Sequence, residues 1–216
     1  MRVQYQQQLQ QVLTQLVDMT GCVREALNQA TRALLDADAS AAETVISGDL
    51  SIDEARIRIE EDSYEILARQ APVAGDLRML LASLRMVADL ERMGDLSVHI
   101  AKVARLRYPT RAVPEVMVPT IKSMAATADE MIASAAEIVA TQDVGAAAQL
   151  EEADDTMDDL RRSMFRILLS DEWGWGVEPA VDVALLGRYY ERISDHAVSM
   201  ARRIIFLVTG RHPAAV

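Results

Sequence analysis

Asp89-Leu90-Glu91-Arg92-Met93-Gly94-Asp95 is followed one hundred residues later by Tyr189-Tyr190-Glu191-Arg192-Ile193-Ser194-Asp195. Both stretches contain Glu-Arg-x-x-Asp, with the two carboxylates four residues apart. On a helix that spacing puts both on one side, about 6 Å apart along the axis. Leu77, Leu81, Leu84 and Ala88 precede the first copy at three- and four-residue steps and read as the apolar seam of a helix. Glu91, Asp95 and Val98 continue that row, so the carboxylates fall where a hydrophobic stripe is expected.

The repetition extends outward from this motif. At an offset of 105, Val45, Asp49, Ile52, Asp53 and Ile59 match Leu150, Asp154, Met157, Asp158 and Met164. The same offset places Leu16, Met19 and Leu27 on Ile121, Met124 and Ile132. The chain therefore reads as a tandem duplication of a three-helix unit. Residues 1–108 form the first repeat, 109–114 a linker with two flanking prolines (Pro109 and Pro114), and 115–216 the second repeat. The expected fold is all-α: two tandem three-helix bundles, six long antiparallel helices with coiled-coil-like packing.

The helices follow from periodicity and punctuation. Leu9, Val12, Leu13, Leu16, Met19, Val23, Leu27 and Leu34 mark one face of a helix over 3–36. Val45, Ile52, Ile59 and Ile66 lie seven apart, a coiled-coil-like seam over about 40–70. Asp38 or Ser40 can cap that helix, and Asp76 the next, which runs to about Arg107. Helices over about 116–141, 145–170 and 178–209 complete the second half. Met124, Met131, Met157 and Met164 keep helical spacing and read as core filler.

Composition agrees with this reading. Of 216 residues, 50% are hydrophobic but only 4% aromatic, with 9 Gly and 6 Pro. Such a chain favours long helices. The net charge of −11 argues against nucleic acid as a partner. Cys22 is the single cysteine, the first residues lack an apolar leader, and no apolar run approaches the roughly 18 residues of a membrane span. The expectation is a cytosolic protein without membrane insertion. Lys102, Arg105, Arg107 and Arg111 form a basic segment, read either as a helix C-terminus with a solvated linker or as a docking patch for an acidic or lipid partner. Trp173 and Trp175 have no counterpart in the first half; they either cap the bundle or present an aromatic anchor.

Four carboxylate pairs remain: Asp49/Asp53, Glu91/Asp95, Asp154/Asp158 and Glu191/Asp195. Like charges at this spacing cost a helix a few tenths of a kcal/mol, so each pair needs an offset. Two are available. Arg56, Arg92, Arg161 and Arg192 stand nearby and could form ion pairs, or a hard cation could draw on the carboxylates of two adjacent helices. The histidines are His99, His196 and His212, and neither acidic helix carries the Glu-x-x-His of di-iron bundles. No nucleophile triad, phosphate loop or HExxH motif is present, so no enzyme is expected.

The ordered combination Asp49-x-x-x-Asp53, Pro72-Val73-Ala74-Gly75-Asp76-Leu77-Arg78 and Asp89–Asp95, then Asp154-x-x-x-Asp158 and Tyr190–Asp195, resembles the PhoU family over nearly the whole chain. The second repeat departs from the pattern. It lacks the Pro-Val-Ala segment, and Ser194 replaces Gly94. The resemblance implies a cytosolic negative regulator of phosphate uptake and phosphate signalling. Such a protein would link a phosphate ABC transporter, through its ATPase subunit, to the sensor histidine kinase of a two-component system. It also implies a homodimer and metal binding (Mg, Mn, Zn or Fe) through Asp49, Asp53, Glu91, Asp95, Asp154, Asp158, Glu191 and Asp195. Two alternatives are a carboxylate-bridged metalloenzyme and a purely structural coiled-coil protein.

Overall fold

A computed structural model describes residues 2–211; the expectation for His212 lies outside them. Six helices follow one another: α1 (Arg2–Asp36), α2 (Ala39–Gln70), α3 (Ala74–Arg107), α4 (Val118–Thr141), α5 (Val144–Leu168) and α6 (Val177–Thr209). A short 3₁₀ turn, Glu115–Met117, leads into α4. No strand occurs among the described residues. No helix among them is long and apolar enough to cross a membrane.

Local chemistry sets most of the ends. Asp38 caps α2 by accepting from the Ala41 amide at 2.9 Å, and Asp143 caps α5 by accepting from Gly145 and Ala146. Pro119 stands in the first turn of α4, where its missing N–H costs nothing. Helix α3 corrects an expectation. Its cap position is Val73, which offers no side-chain bond. Asp76 lies one turn in and accepts from the Tyr5 hydroxyl at 2.8 Å.

The helices form two layers. In one, α2, α3, α6 and α5 lie side by side; in the other, α1 covers α2 and α3 while α4 covers α5 and α6. The repeats meet through α3 against α6 and α1 against α4. The seam Val45, Ile52, Ile59, Ile66 is buried, as is its counterpart Leu150, Met157, Met164. The proposed seam of α3 is not. Leu81 is 48% exposed, Leu77 is exposed, and Ala88 faces solvent. The buried row is instead Met79, Leu80, Ser83, Met86, Val87, Leu90, Met93 and Gly94. Helix α3 touches α1, α2 and α6, so its inward arc is broad and its outer leucines are left over.

Polar contacts lace the boundary between repeats. Arg24 of α1 pairs with Asp129 of α4 at 2.7 Å, and Asn28 donates to the same carboxylate. The guanidinium beside it holds the Asp129 carboxyl below its usual range. Positions 24 and 129 differ by 105, the repeat offset, so equivalent residues meet across an internal pseudo-twofold axis. Buried Asp89 accepts from Ser199 (3.3 Å) and Arg203 (2.9 Å) of α6 and lies 3.0 Å from His196 Nδ1. Arg107 grips Asp182 and Glu178 at the start of α6. Arg105 pairs with Glu43, and Arg111 with Glu115. Arginines of the basic segment are thus spent inside the chain, against the docking-patch reading. Trp173 packs on the core and donates to the Gly176 carbonyl at 2.8 Å, while Trp175 stays 46% exposed beside it.

Candidate metal-binding faces

The four acids of the first repeat lie along the α2–α3 groove within electrostatic reach of one another. Asp49 and Asp53 lie about 40° and 80° around α2 from the buried Val45, which turns both toward the α3 edge of the core. On α3, Gly94 permits the close approach. A Cβ there would stand 3.1 and 3.3 Å from Ile52 and 3.6 Å from Asp49 Oδ1. The charges feel one another across the groove. Asp49 is pushed up by burial, then by Asp95 and Asp53, against the pull of Lys102 and His99. Glu91 is pushed up by burial and Asp95, against Arg92 and Arg56.

The second repeat builds the same face between α5 and α6. Burial, then Asp195, Asp158 and Glu191, push the Asp154 carboxyl up to about 6. Asp195 is raised by burial and Glu191 and restrained by Arg188 and His196. Ser194 takes the place of Gly94 and turns its hydroxyl back to the Tyr190 carbonyl at 3.3 Å. Close approach moves about two turns earlier, to Gly187, where a Cβ would meet Met164 at 2.4 Å.

Arginines meet part of this charge. Arg56 lies 3.5 Å from Asp53 and 3.2 Å from Glu60, with its buried Nε lacking a hydrogen bond. Arg92 pairs with Asp95 at 3.0 Å. Arg161 reaches Glu191 at 3.3 Å, and Arg188 bonds the other oxygen of the same carboxylate. The sequence pointed to Arg192; the structure uses Arg188, which stands one turn before Glu191. An Arg at i−3 from a buried acid was a visible signal. Arg162 pairs with Asp158 at 3.3 Å. Among the described residues, no three His, Cys, Asp or Glu are grouped to hold one ion.

The donor set nevertheless suits a hard cation. Each face offers four carboxylates from two helices, partly desolvated and mutually repelling, with oxygen as the sole donor type. Neither described histidine joins them. His99 is exposed and stacks on Tyr189 at 5.4 Å, and His196 turns to Asp89. Asp89 was quoted in the opening motif without a role; it holds the repeats together.

Fold and site define a class: tandem three-helix repeats that present two matched carboxylate faces on one layer. The PhoU domain model matches residues 16–104 and again 121–204. The chain belongs to the PhoU family. It is 47% identical to the phosphate-specific transport system accessory protein PhoU homolog 2 of Mycobacterium tuberculosis, over 99% of this chain and 100% of that one. It is 45% identical to PhoU homolog 1 of Mycobacterium leprae, over 99% of this chain and 96% of that protein. The crystal structure of PhoU from Pseudomonas aeruginosa superposes with a TM-score of 0.89 at 30% identity, covering 96% of this chain and 100% of that one.

Proposed function

We propose that this protein is a cytoplasmic negative regulator of phosphate uptake and phosphate-responsive signalling. It acts as an adaptor between the ATPase subunit of a phosphate transporter and the cytoplasmic part of a sensor histidine kinase. Support comes from relatives named as phosphate-specific transport system accessory proteins that match the chain end to end. The observation that carries the reading is the pair of acidic faces on the four-helix layer, built at equivalent positions of both repeats. We read the role as regulatory rather than enzymatic, in keeping with relatives named as accessory proteins.

In this reading Asp49, Asp53, Glu91 and Asp95 hold one cation site, and Asp154, Asp158, Glu191 and Asp195 the other. An all-oxygen set favours Mg²⁺, Mn²⁺ or iron over zinc. The bound ion supplies positive charge that cancels repulsion between the paired helices. The chain's own part is to orient the carboxylates, with Gly94 bringing α3 close to Asp49 in the first half. We further propose that the protein works as a homodimer. The test is a pull-down with the transporter ATPase subunit and the kinase cytoplasmic domain, with phosphate and Mn²⁺ varied. Retention that disappears when the acidic faces are changed to alanine supports the reading; no retention of either partner under any condition overturns it.

A further inference from the structure

The two acidic faces differ in how their glutamates, Glu91 and Glu191, are held. Arg188 of α6 donates from Nη1 to Oε2 of Glu191, while Arg161 of α5 reaches Oε1 at 3.3 Å. Both oxygens of Glu191 are therefore taken, on a side chain only 10% exposed. Arg188 also lies near enough to Asp195 to attract its carboxylate.

In the first repeat Arg92 takes Asp95 at 3.0 Å, but among the described residues no guanidinium is hydrogen-bonded to Glu91, the counterpart of Glu191. The counterpart of Arg161 is Arg56, which is turned to Asp53 and Glu60. The counterpart of Arg188 is Ala88, an exposed residue with nothing to donate. Glu91 has Arg92 only at 3.6 Å. Its side chain is 27% exposed, so it is open to an incoming ion.

An arginine stays charged at any physiological pH, and its fork matches a carboxylate. A cation entering the α5–α6 face must displace that guanidinium from Glu191 and then sit beside the displaced positive charge. Resting on the reading that both faces take divalent cations, we propose that Arg188 is a built-in competitor that makes the α5–α6 face the weaker site. The α2–α3 face, with Ala88 at the same position, is the stronger one. Arg188 thus sets site preference without serving as a ligand.

Mn²⁺ binding to the full chain, stripped with chelator and followed by the paramagnetic resonance of free Mn²⁺, tests this. The expected isotherm has two classes. Asp49→Asn with Asp53→Asn removes the tighter, and Asp154→Asn with Asp158→Asn removes the weaker. Arg188→Ala raises the affinity of the weaker class about tenfold and leaves the tighter unchanged. Ala88→Arg lowers the tighter class by a similar factor. Both altered positions are exposed, and thermal melting of each chelated variant confirms that it folds. Wild-type binding in two classes that neither Arg188→Ala nor Ala88→Arg shifts overturns the role of Arg188 alone. Absence of Mn²⁺ binding in every variant overturns the cation reading and this inference with it.

Discussion

At the scale of single residues, the acids behave according to what surrounds them. Asp154 is raised to about 6 by burial and three neighbouring carboxylates. An Asp whose folded value lies above its unfolded one binds its proton more tightly when folded. Its contribution is full below the unfolded value of about 4 and is lost as pH rises through about 6. Without metal, then, the chelated protein gains stability on acidification across that window. Asp154→Asn should flatten this part of the profile and raise the melting temperature at pH 7. The group is partly solvated, so about 1 kcal/mol is a fair scale, or roughly 2–4 °C for a chain of this size. Parallel melting curves for wild type and variant from pH 4 to 8 would refute the assignment. Asp89 gives the opposite case. It is buried between repeats with His196, Ser199 and Arg203 on its two oxygens. Removing one partner of a buried pair costs about 3 kcal/mol because the other charge is stranded. Asp89→Ala should therefore lower the denaturation midpoint far more than a substitution at exposed Asp159, a comparison that chemical denaturation makes directly.

Among the elements, the helices differ in how much of their packing can be read from spacing. The row Val45, Ile52, Ile59, Ile66 was legible because α2 is an outer helix with one apolar stripe. Helix α3 was not. Two rows satisfy helical spacing there, and the leucine row was the more apolar, yet Ser83 and Gly94 are buried while Leu81 is exposed. Contact with three helices decided this, and spacing cannot count neighbours. The same limit applies to the acids. Their positions were legible, and Arg188 stood visibly at i−3 from Glu191, but that Glu191 is buried, and so takes Arg188 and Arg161, was not. Glycines make the packing testable. Gly21 and Gly48 face a groove of about 540 Å³ between α1 and α2, and a Cβ at either meets nothing within 4 Å. Gly21→Ala and Gly48→Ala should each stabilise by about 1 kcal/mol through helix propensity alone. Gly94→Ala should fail to gain this, since its Cβ would press on Ile52 at 3.1 Å beside Asp49. Equal gains at all three positions, measured by urea denaturation, would mean that Gly94 does not set the α2–α3 approach.

For the molecule as a whole, the internal pseudo-twofold axis explains why two half-sites lie on one layer. Arg24 faces its own equivalent, Asp129, so the repeats pair as unlike partners at the axis although their backbones correspond. The acidic faces lie away from it, between α2 and α3 on one side and α5 and α6 on the other, so each ion would join helices of a single repeat. This geometry separates a cation that braces each half from one that glues the halves together. A ligand specific to the folded state adds about 2.7 kcal/mol at a hundredfold excess over its dissociation constant. For one face that corresponds to roughly 5–10 °C in melting temperature. Mn²⁺ should therefore raise the melting temperature, and chelator should reverse it. Disabling either face by paired Asn substitutions should leave a smaller rise from the other, because the sites share no ligand. If disabling one face abolished the whole effect, the ion would have to act across the α3–α6 boundary, and the assignment of four carboxylates to each repeat would fail.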